Sequence, residues 1–192
     1  ADDKLLSVKN IATTYLNALR SLADTTDVIT TDKDGAFAEH QVVIASNYDD
    51  WGNALKQIVK AYSDISKDDA RLLSTKNIET TYLNALRSLA DTTDVITTDK
   101  DGAFAEHQVV TASNYDAWGN AKNQTVKAYS DASKADDKLL SVKNIATTYL
   151  NALRSLAGVT DVTTMAADGI TFAEHQVVTV ANINDYDDWG NA

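Results

Sequence analysis

The segment Leu5–Val43, LLSVKNIATTYLNALRSLADTTDVITTDKDGAFAEHQVV, decides the fold because the chain contains three versions of it. It returns at Leu72–Val110 with two changes in 39 positions and again, more diverged, at Leu139–Val178. The first two versions are offset by 67 residues, so the sequence is a tandem array. Similar copies at a fixed period are typical of proteins in which each unit packs against its neighbours.

The offset predicts three repeats, at 1–67, 68–134 and 135–192, of which the third is incomplete. Repeat 3 has no counterpart of Leu55–Lys67. Neither a Pro nor a flexible Gly/Ser-rich linker separates the repeats. We therefore expect them to pack directly on one another.

The composition is that of a folded, acidic protein. Hydrophobic residues make up 44% of the 192 positions, which is enough for a folded core. The net charge of −11 argues against nucleic-acid binding, which uses basic surfaces. Cysteine is absent, so disulfides and thiolate chemistry are excluded. No apolar run is long enough to span a bilayer, so we expect no membrane insertion.

The first third of each repeat has the apolar spacing of an amphipathic helix. In repeat 1 the apolar positions lie 3, 4, 3, 4 and 3 residues apart, at Leu5, Val8, Ala12, Tyr15, Leu19 and Leu22. That period predicts a helix over 4–23. In repeat 3, Gly158 follows the last periodic residue, as is usual at a helix end.

A second periodic series follows an Asp- and Thr-rich segment. Its members are spaced by four and three residues: Phe37, Gln41, Ile44, Tyr48, Trp51, Leu55, Ile58, Tyr62 and Ile65. They predict a helix over 36–66, interrupted near 46–48, that folds back on the first helix. Capping-box spacing in Ser66-Lys67-Asp68-Asp69 predicts a helix restart near 68. The predicted fold is mainly α, with tandem helix–loop–helix repeats packed as a helical bundle or short solenoid.

Differences between the copies favour the second helix, although a β-hairpin is the alternative. Four apolar residues change at spacings of 11, 3 and 7, which return to one helical face: Ile44, Leu55, Ile58 and Ile65 become Thr111, Lys122, Thr125 and Ala132. The alternative is an α+β repeat, with a hairpin at about 25–45 between two helices. It rests on the β-branched residues of Val28–Thr31 and Val42–Ile44, which flank a Lys-Asp-Gly turn.

Aspartates in the middle of each repeat are candidate ligands for Ca²⁺, which takes about six to eight oxygen ligands. The candidates in repeats 1 and 2 are Asp24, Asp27, Asp32, Asp34, Asp91, Asp94, Asp99 and Asp101. Their spacing departs from the EF-hand loop, because position 41 is Gln where that loop has a bidentate acid. An ordinary polar loop is the competing interpretation. The sequence predicts no other cofactor.

A Tyr-Asp-x-Trp-Gly-Asn-Ala motif recurs in all three repeats. Its candidate ligand-binding residues are Tyr48, Trp51, Tyr115, Trp118, Tyr186 and Trp189. An exposed Tyr–Trp pair beside Asp and Asn can stack on a sugar and hydrogen-bond its hydroxyl groups. The competing interpretation makes Trp51 the largest core anchor of its repeat, with Gly52 allowing close approach of a packed helix.

His40, His107 and His175 occupy the same position of the repeated string FAEHQVV. Each lacks a second His or Cys at zinc-ligand spacing, so we expect a histidine at the boundary of the core, hydrogen-bonded to a neighbour. The sequence also has no Gly-rich phosphate loop, GxSxG, HExxH or Cys nucleophile. It therefore predicts no enzymatic activity.

These features predict a structural or interaction repeat protein, such as a surface stalk, filament or adhesive-array segment. Its expected partners are neighbouring repeats or, through self-assembly, other copies of the same chain. The alternative is a multivalent binding module, with a Tyr/Trp site for a glycan or protein, or an Asp-rich Ca²⁺ loop, in each repeat. The Thr/Asn/Asp/Ala-rich, cysteine-free repeats suggest a secreted or cell-surface location.

Overall fold

The computed structural model describes residues 7–180 and 182, and most of them belong to antiparallel β-strands. The strands are β1 Ser7–Asn17, β2 Leu22–Asp32, β3 Phe37–Tyr48, β4 Ala54–Tyr62, β5 Leu72–Asn84, β6 Leu89–Asp99, β7 Phe104–Tyr115, β8 Ala121–Tyr129, β9 Leu139–Asn151, β10 Leu156–Met165 and β11 Phe172–Thr179. Each of the pairings described below joins strands that are consecutive along the chain. Two 3₁₀ turns, Asp69–Arg71 and Asp136–Lys138, are the only helical segments in the described part of the chain. The predicted mainly α fold, with its helical hairpins, is therefore wrong.

Residues 4–6 of the predicted helix over 4–23 lie outside the described residues, and the rest of it is instead β1, a tight turn and the start of β2. Asn17 sets the turn, because its side-chain oxygen accepts a hydrogen bond from the Arg20 backbone N–H at 3.1 Å. Ser21 ends the turn with a left-handed φ of 54°. Alternation along β1 places Val8 and Ile11 on opposite faces of the strand. The helical period thus arose from a strand that carries apolar residues on both faces.

The predicted helix over 36–66 is also wrong, because β3 and β4 form an antiparallel hairpin there. Ile44 lies opposite Ile58 in repeat 1, and Thr111 lies opposite Thr125 in repeat 2. Two of the four substitutions that suggested one face of a helix are therefore joint changes of cross-strand neighbours. Such neighbours contact each other directly on one face of a sheet.

The α+β alternative was right about one element. β2 and β3 form a hairpin within the predicted region, with Asp27 opposite Val42, but no α-helix flanks it among the described residues. The helix predicted near 68 is a single 3₁₀ turn, and its N-cap Asp68 makes no side-chain cap hydrogen bond. Gly158, predicted to end a helix, lies inside β10 at a register shift of the β9–β10 ladder.

The chain divides into two compact units, one made of 1–80 and 95–106 and the other of 81–94 and 107–192. The buried hydrophobic residues of the first unit are Leu22, Val42, Ala45 and Tyr62. Those of the second are Leu89, Ala112, Tyr129, Val142 and Leu156. Within the part of the chain described, no helix is long and apolar enough to cross a membrane.

Strand pairing continues across two repeat borders. Within the first unit, β4 of repeat 1 pairs with β5 of repeat 2, placing Gln57 opposite Ile78. Within the second unit, β8 pairs with β9 in the same register, placing Gln124 opposite Ile145. Main-chain hydrogen bonds between antiparallel strands, and not packed helices, join successive repeats at these borders.

Candidate functional site

A fully buried histidine lies in repeat 1. His40 on β3 has an exposed fraction of 0%, and its ring centroid lies 5.2 Å from that of Tyr62, which is opposite on β4. The loop after β4 covers the same ring, because the Asp64 carbonyl oxygen lies 2.9 Å from His40 Nδ1. The other ring nitrogen, Nε2, lies 2.8 Å from Asp27 Oδ1 on β2. Residues from β2, β4 and the loop after β4 therefore contact this side chain of β3.

The Asp27 carboxylate joins the histidine to a lysine. Its second oxygen, Oδ2, is paired with Lys67 Nζ from the loop after β4. Burial alone would raise the pKa of Asp27, but hydrogen bonds from Lys67 and His40, together with their charges, outweigh burial and hold that pKa below its usual value. The carboxylate is therefore ionised and ties β2 to the loop that covers β3.

Both nitrogens of the His40 ring have oxygen partners. Both ring nitrogens face acceptor oxygens, a carboxylate on one side and a main-chain carbonyl on the other. The ring therefore bridges the Asp27 carboxylate on β2 and the main-chain carbonyl of Asp64 in the loop after β4.

Repeat 2 reproduces the arrangement. His107 is also 0% exposed, with Nε2 2.8 Å from Asp94 Oδ1 and Nδ1 3.0 Å from the Asp131 carbonyl oxygen. Lys134 pairs with the second oxygen of Asp94. We name these groups the histidine clusters: Asp27, His40, Asp64 and Lys67 in repeat 1, and Asp94, His107, Asp131 and Lys134 in repeat 2.

Repeat 3 keeps the His–Asp pair without its burial. His175 Nε2 lies 2.8 Å from Asp161 Oδ1, yet the two side chains are 47% and 46% exposed. Among the described residues, no strand pairs with the outer edge of β11. Burial of the histidine therefore accompanies the fourth strand of a repeat and its loop, and the pair alone does not produce it.

The aspartates proposed as Ca²⁺ ligands have separate partners. No three His, Cys, Asp or Glu side chains gather into a group able to hold a metal ion within the described ranges. Asp27 and Asp94 belong to the histidine clusters. Burial, with the nearby Asp24 charge, raises the pKa of the Tyr48 hydroxyl, and Asp91 stands in the same relation to Tyr115.

The remaining candidate aspartates lie at the turn between β2 and β3 and at the equivalent turn between β6 and β7. Asp32 Oδ1 accepts hydrogen bonds from the backbone N–H groups of Asp34 and Ala36, both at 2.9 Å. The Asp34 carboxylate is paired with its neighbour Lys33 at 2.6 Å. Asp99 and Asp101 do the same in repeat 2. The Asp32 and Asp99 carboxylates therefore stabilise their turns by accepting hydrogen bonds from nearby backbone N–H groups.

The Tyr-Asp-x-Trp-Gly-Asn-Ala motif forms the turn between β3 and β4. Asp49 Oδ1 accepts hydrogen bonds from the backbone N–H groups of Trp51 and Asn53, both at 2.9 Å. Gly52 adopts a φ of 90°, which residues with a Cβ atom rarely adopt. Asp116 makes the corresponding bonds in repeat 2. We name the segments 49–53 and 116–120 the tryptophan turns.

The tryptophan of each described turn is exposed. Trp51 and Trp118 are each 62% exposed, so the prediction that Trp51 anchors the core is wrong. The tyrosine of the motif is the packed aromatic instead, because the Tyr48 hydroxyl donates a hydrogen bond to the Ala23 carbonyl. Two further candidates, Tyr186 and Trp189, lie outside the described residues.

Contacts beneath each tryptophan turn hold it in place. A methyl group on Gly52 would lie 3.3 Å from Leu22 Cδ2, so the turn packs closely on the start of β2. Arg20 donates from Nη2 to the Asp50 carbonyl at 2.7 Å, and Arg87 donates to the Ala117 carbonyl at 2.7 Å. A turn held in this way loses little conformational entropy when a ligand binds.

The histidine clusters were predicted only in part. A histidine hydrogen-bonded to a neighbour is confirmed at His40, but its complete burial and its partner Asp27 were missed. The signal was in the sequence, because Asp27 and His40 are 13 residues apart, as are Asp94 and His107. A hairpin with its turn at the Asp-Gly dipeptide brings such a pair onto one face.

No protein-family model matches the chain. No curated protein sequence shows significant similarity to it.

Proposed function

We propose that the chain is a structural or interaction repeat protein, in which each complete repeat adds four strands to an antiparallel ladder. The register at the repeat borders carries this proposal. β4 meets β5 and β8 meets β9 with equivalent residues opposite one another. A ladder that uses one border register grows by adding copies, so duplication increases length and the number of contact surfaces.

The main chain supports the borders more consistently than the side chains do. Lys56 Nζ lies 2.6 Å from Glu79 Oε1 at the first border, but the equivalent residues at the second border are Asn123 and Ala146. An exposed ion pair of this kind contributes little stability. The backbone ladder is therefore the feature common to both borders.

The histidine clusters support the same function. Lys67 and Asp64 belong to the loop that leads into the next repeat, whereas Asp27 and His40 lie on strands of repeat 1. Each cluster therefore fastens the connection between two repeats onto the strands that precede it. Buried, charge-assisted hydrogen bonds of this kind are among the stronger polar contacts in proteins.

Chains of one, two and three repeats test the proposal. The stability of an array is the sum of repeat and border contributions, so we expect the urea midpoint of unfolding to rise from 1–67 to 1–134 to 1–192. Far-UV circular dichroism measures the midpoint, and repeating it at several protein concentrations separates borders within a chain from association. A chain of residues 1–67 as stable as the full chain would contradict the array function.

A second candidate function, multivalent binding at the tryptophan turns, is favoured by the exposure of Trp51 and Trp118. Replacing both by alanine is expected to remove binding on a glycan array while changing the free energy of unfolding by no more than about 0.5 kcal/mol, because neither side chain is buried. An array on which the unaltered chain binds no glycan, or on which the double variant binds equally, excludes the glycan form of this candidate.

A further inference from the structure

A pocket lies beside the tryptophan turn of repeat 2, within the second unit. Its lining residues are Asp116, Lys122, Thr148, Tyr149 and Ala152. Its volume of about 310 Å³ is at the lower end of the range of small-molecule sites, roughly 300–1,000 Å³. We propose that this pocket and the exposed Trp118 form one binding site for an uncharged sugar. The inference rests on the second candidate function, because it names the ligand class and the recognising residues at one tryptophan turn.

Two successive repeats build the pocket. One wall comes from the tryptophan turn and the start of β8 in repeat 2, and the other comes from β9 and the turn after it in repeat 3. Asn120 Nδ2 donates a hydrogen bond to the Ala152 carbonyl at 2.6 Å, and the Tyr149 hydroxyl donates to the Ala121 carbonyl at 3.1 Å. These bonds hold the two walls together, so a single repeat supplies only half of the site.

The two charged groups of the pocket differ in what they offer a ligand. The Asp116 carboxylate is largely used by its own turn, since it accepts from the backbone N–H groups of Trp118 at 2.8 Å and Asn120 at 3.0 Å and from the Asn120 side chain at 2.9 Å. The side-chain bond from Asn120, followed by the backbone bonds, lowers the pKa of Asp116. Lys122 is exposed, so its ammonium group offers N–H donors to a ligand.

These groups suit an uncharged, hydroxyl-rich ligand. One ammonium and one carboxylate give the pocket no net charge, and the chain's charge of −11 disfavours an acidic polysaccharide. Sugar oxygens can accept hydrogen bonds from Lys122 and from the exposed hydroxyl of Thr148. The apolar face of a sugar ring can stack on Trp118, which is 62% exposed. An uncharged sugar therefore uses both the pocket and the aromatic side chain.

Repeat 1 lacks one of the recognising groups. The residue equivalent to Lys122 is Leu55, which has no hydrogen-bond donor on its side chain. A site that hydrogen-bonds sugar oxygens discriminates more strongly than an apolar one. The tryptophan turn of repeat 2 is therefore expected to bind the sugar more tightly than that of repeat 1.

Binding of the full 192-residue chain to immobilised uncharged and acidic oligosaccharides tests the ligand class. We expect uncharged oligosaccharides to retain the chain and acidic ones not to do so. Isothermal titration calorimetry with the best uncharged oligosaccharide then gives the dissociation constant of the tightest site. Trp118→Ala and Lys122→Leu are each expected to raise that constant about tenfold. Retention by acidic oligosaccharides alone would overturn the proposal.

Matched variants separate the pocket from general effects of charge and fold. Lys127→Leu removes the same charge from the same strand outside the pocket, and it is expected to leave the dissociation constant unchanged. Thr148→Val tests the wall from repeat 3 and is expected to raise the constant about fivefold, whereas Thr14→Val, at the equivalent position of repeat 1, is expected to have no effect. Urea midpoints equal to that of the unaltered chain confirm that the variants fold.

The outcomes distinguish this inference from the functions on which it rests. If Trp118→Ala weakens binding but Lys122→Leu and Thr148→Val do not, the turn binds without the pocket, so the inference fails and the second candidate function stands. If no oligosaccharide binds, both fail. The array function is tested separately by the stability of chains of one, two and three repeats.

Discussion

Replacing His40 by alanine is expected to lower the free energy of unfolding by about 3 kcal/mol, whereas His175→Ala is expected to change it by about 0.5 kcal/mol or less. His40 is 0% exposed and fills the space between Tyr62, Asp27 and the loop after β4. Its removal leaves a cavity and withdraws a donor from a largely buried carboxylate, and both changes destabilise the fold. His175 keeps the same aspartate contact at 47% exposure, so water replaces what the substitution removes.

Urea unfolding followed by circular dichroism at about pH 7 measures both variants in the full chain. His107→Ala is a second matched variant, because its ring is as buried as that of His40 and has the same kinds of partner. It is expected to match His40→Ala. Equal effects of His40→Ala and His175→Ala would show that the loop after β4 contributes nothing to the cluster.

The sequence shows the period of the array, but it predicted a helix over 36–66 and offered the hairpin around Asp34-Gly35 only as the alternative. It did not predict the strands β1 and β4. Strands are usually recognised by alternation, which requires one polar and one apolar face. In β1, Val8 and Ile11 lie on opposite faces and are 39% and 63% exposed. A strand with apolar residues on both faces has no alternation of period two, and here its spacing matched that of a helix by coincidence.

Paired substitutions contained the missing information about strand neighbours. Ile44 and Ile58 both become Thr in repeat 2, and the structure places them opposite each other. The border residues Lys56 and Glu79 are likewise opposite each other, and both differ at the next border. When the spacing of the first pair is interpreted as helical, it predicts that both residues lie on one face of a helix. When both pairs are interpreted as joint changes of residues in contact, they predict antiparallel strand pairs.

The candidate sites, too, were predicted from the sequence only in part. The tryptophan motif was recognised because it recurs, but recurrence alone does not distinguish a core anchor from a turn. Asp49 and Gly52 are the residues that specify the turn, and the turn leaves Trp51 in solvent. Asp27 is a Ca²⁺ candidate because aspartates cluster in the sequence, and the structure adds that its carboxylate contacts His40 and Lys67.

Replacing Asp27 by asparagine is expected to lower the free energy of unfolding by about 2 kcal/mol at about pH 7, and this loss should disappear in acid. Asparagine keeps an oxygen that accepts from His40 but places an amide donor beside Lys67. Its effect therefore reports the charge of the carboxylate and leaves its shape nearly unchanged. Asp161→Asn is the matched control, because that carboxylate is 46% exposed and is expected to change stability by about 0.5 kcal/mol or less.

The direction of the pH dependence follows from the lowered pKa of Asp27. A carboxyl group whose pKa is lower in the folded than in the unfolded chain stabilises the fold above its unfolded pKa, and this contribution is lost as the pH falls through the folded pKa. Urea midpoints of the unaltered chain and of Asp27→Asn are therefore expected to differ by a constant amount down to about pH 5 and to converge below about pH 4. A difference that persists unchanged into strong acid would mean that the ionised carboxylate does not hold the cluster together, and that the packing of His40 under the loop is sufficient.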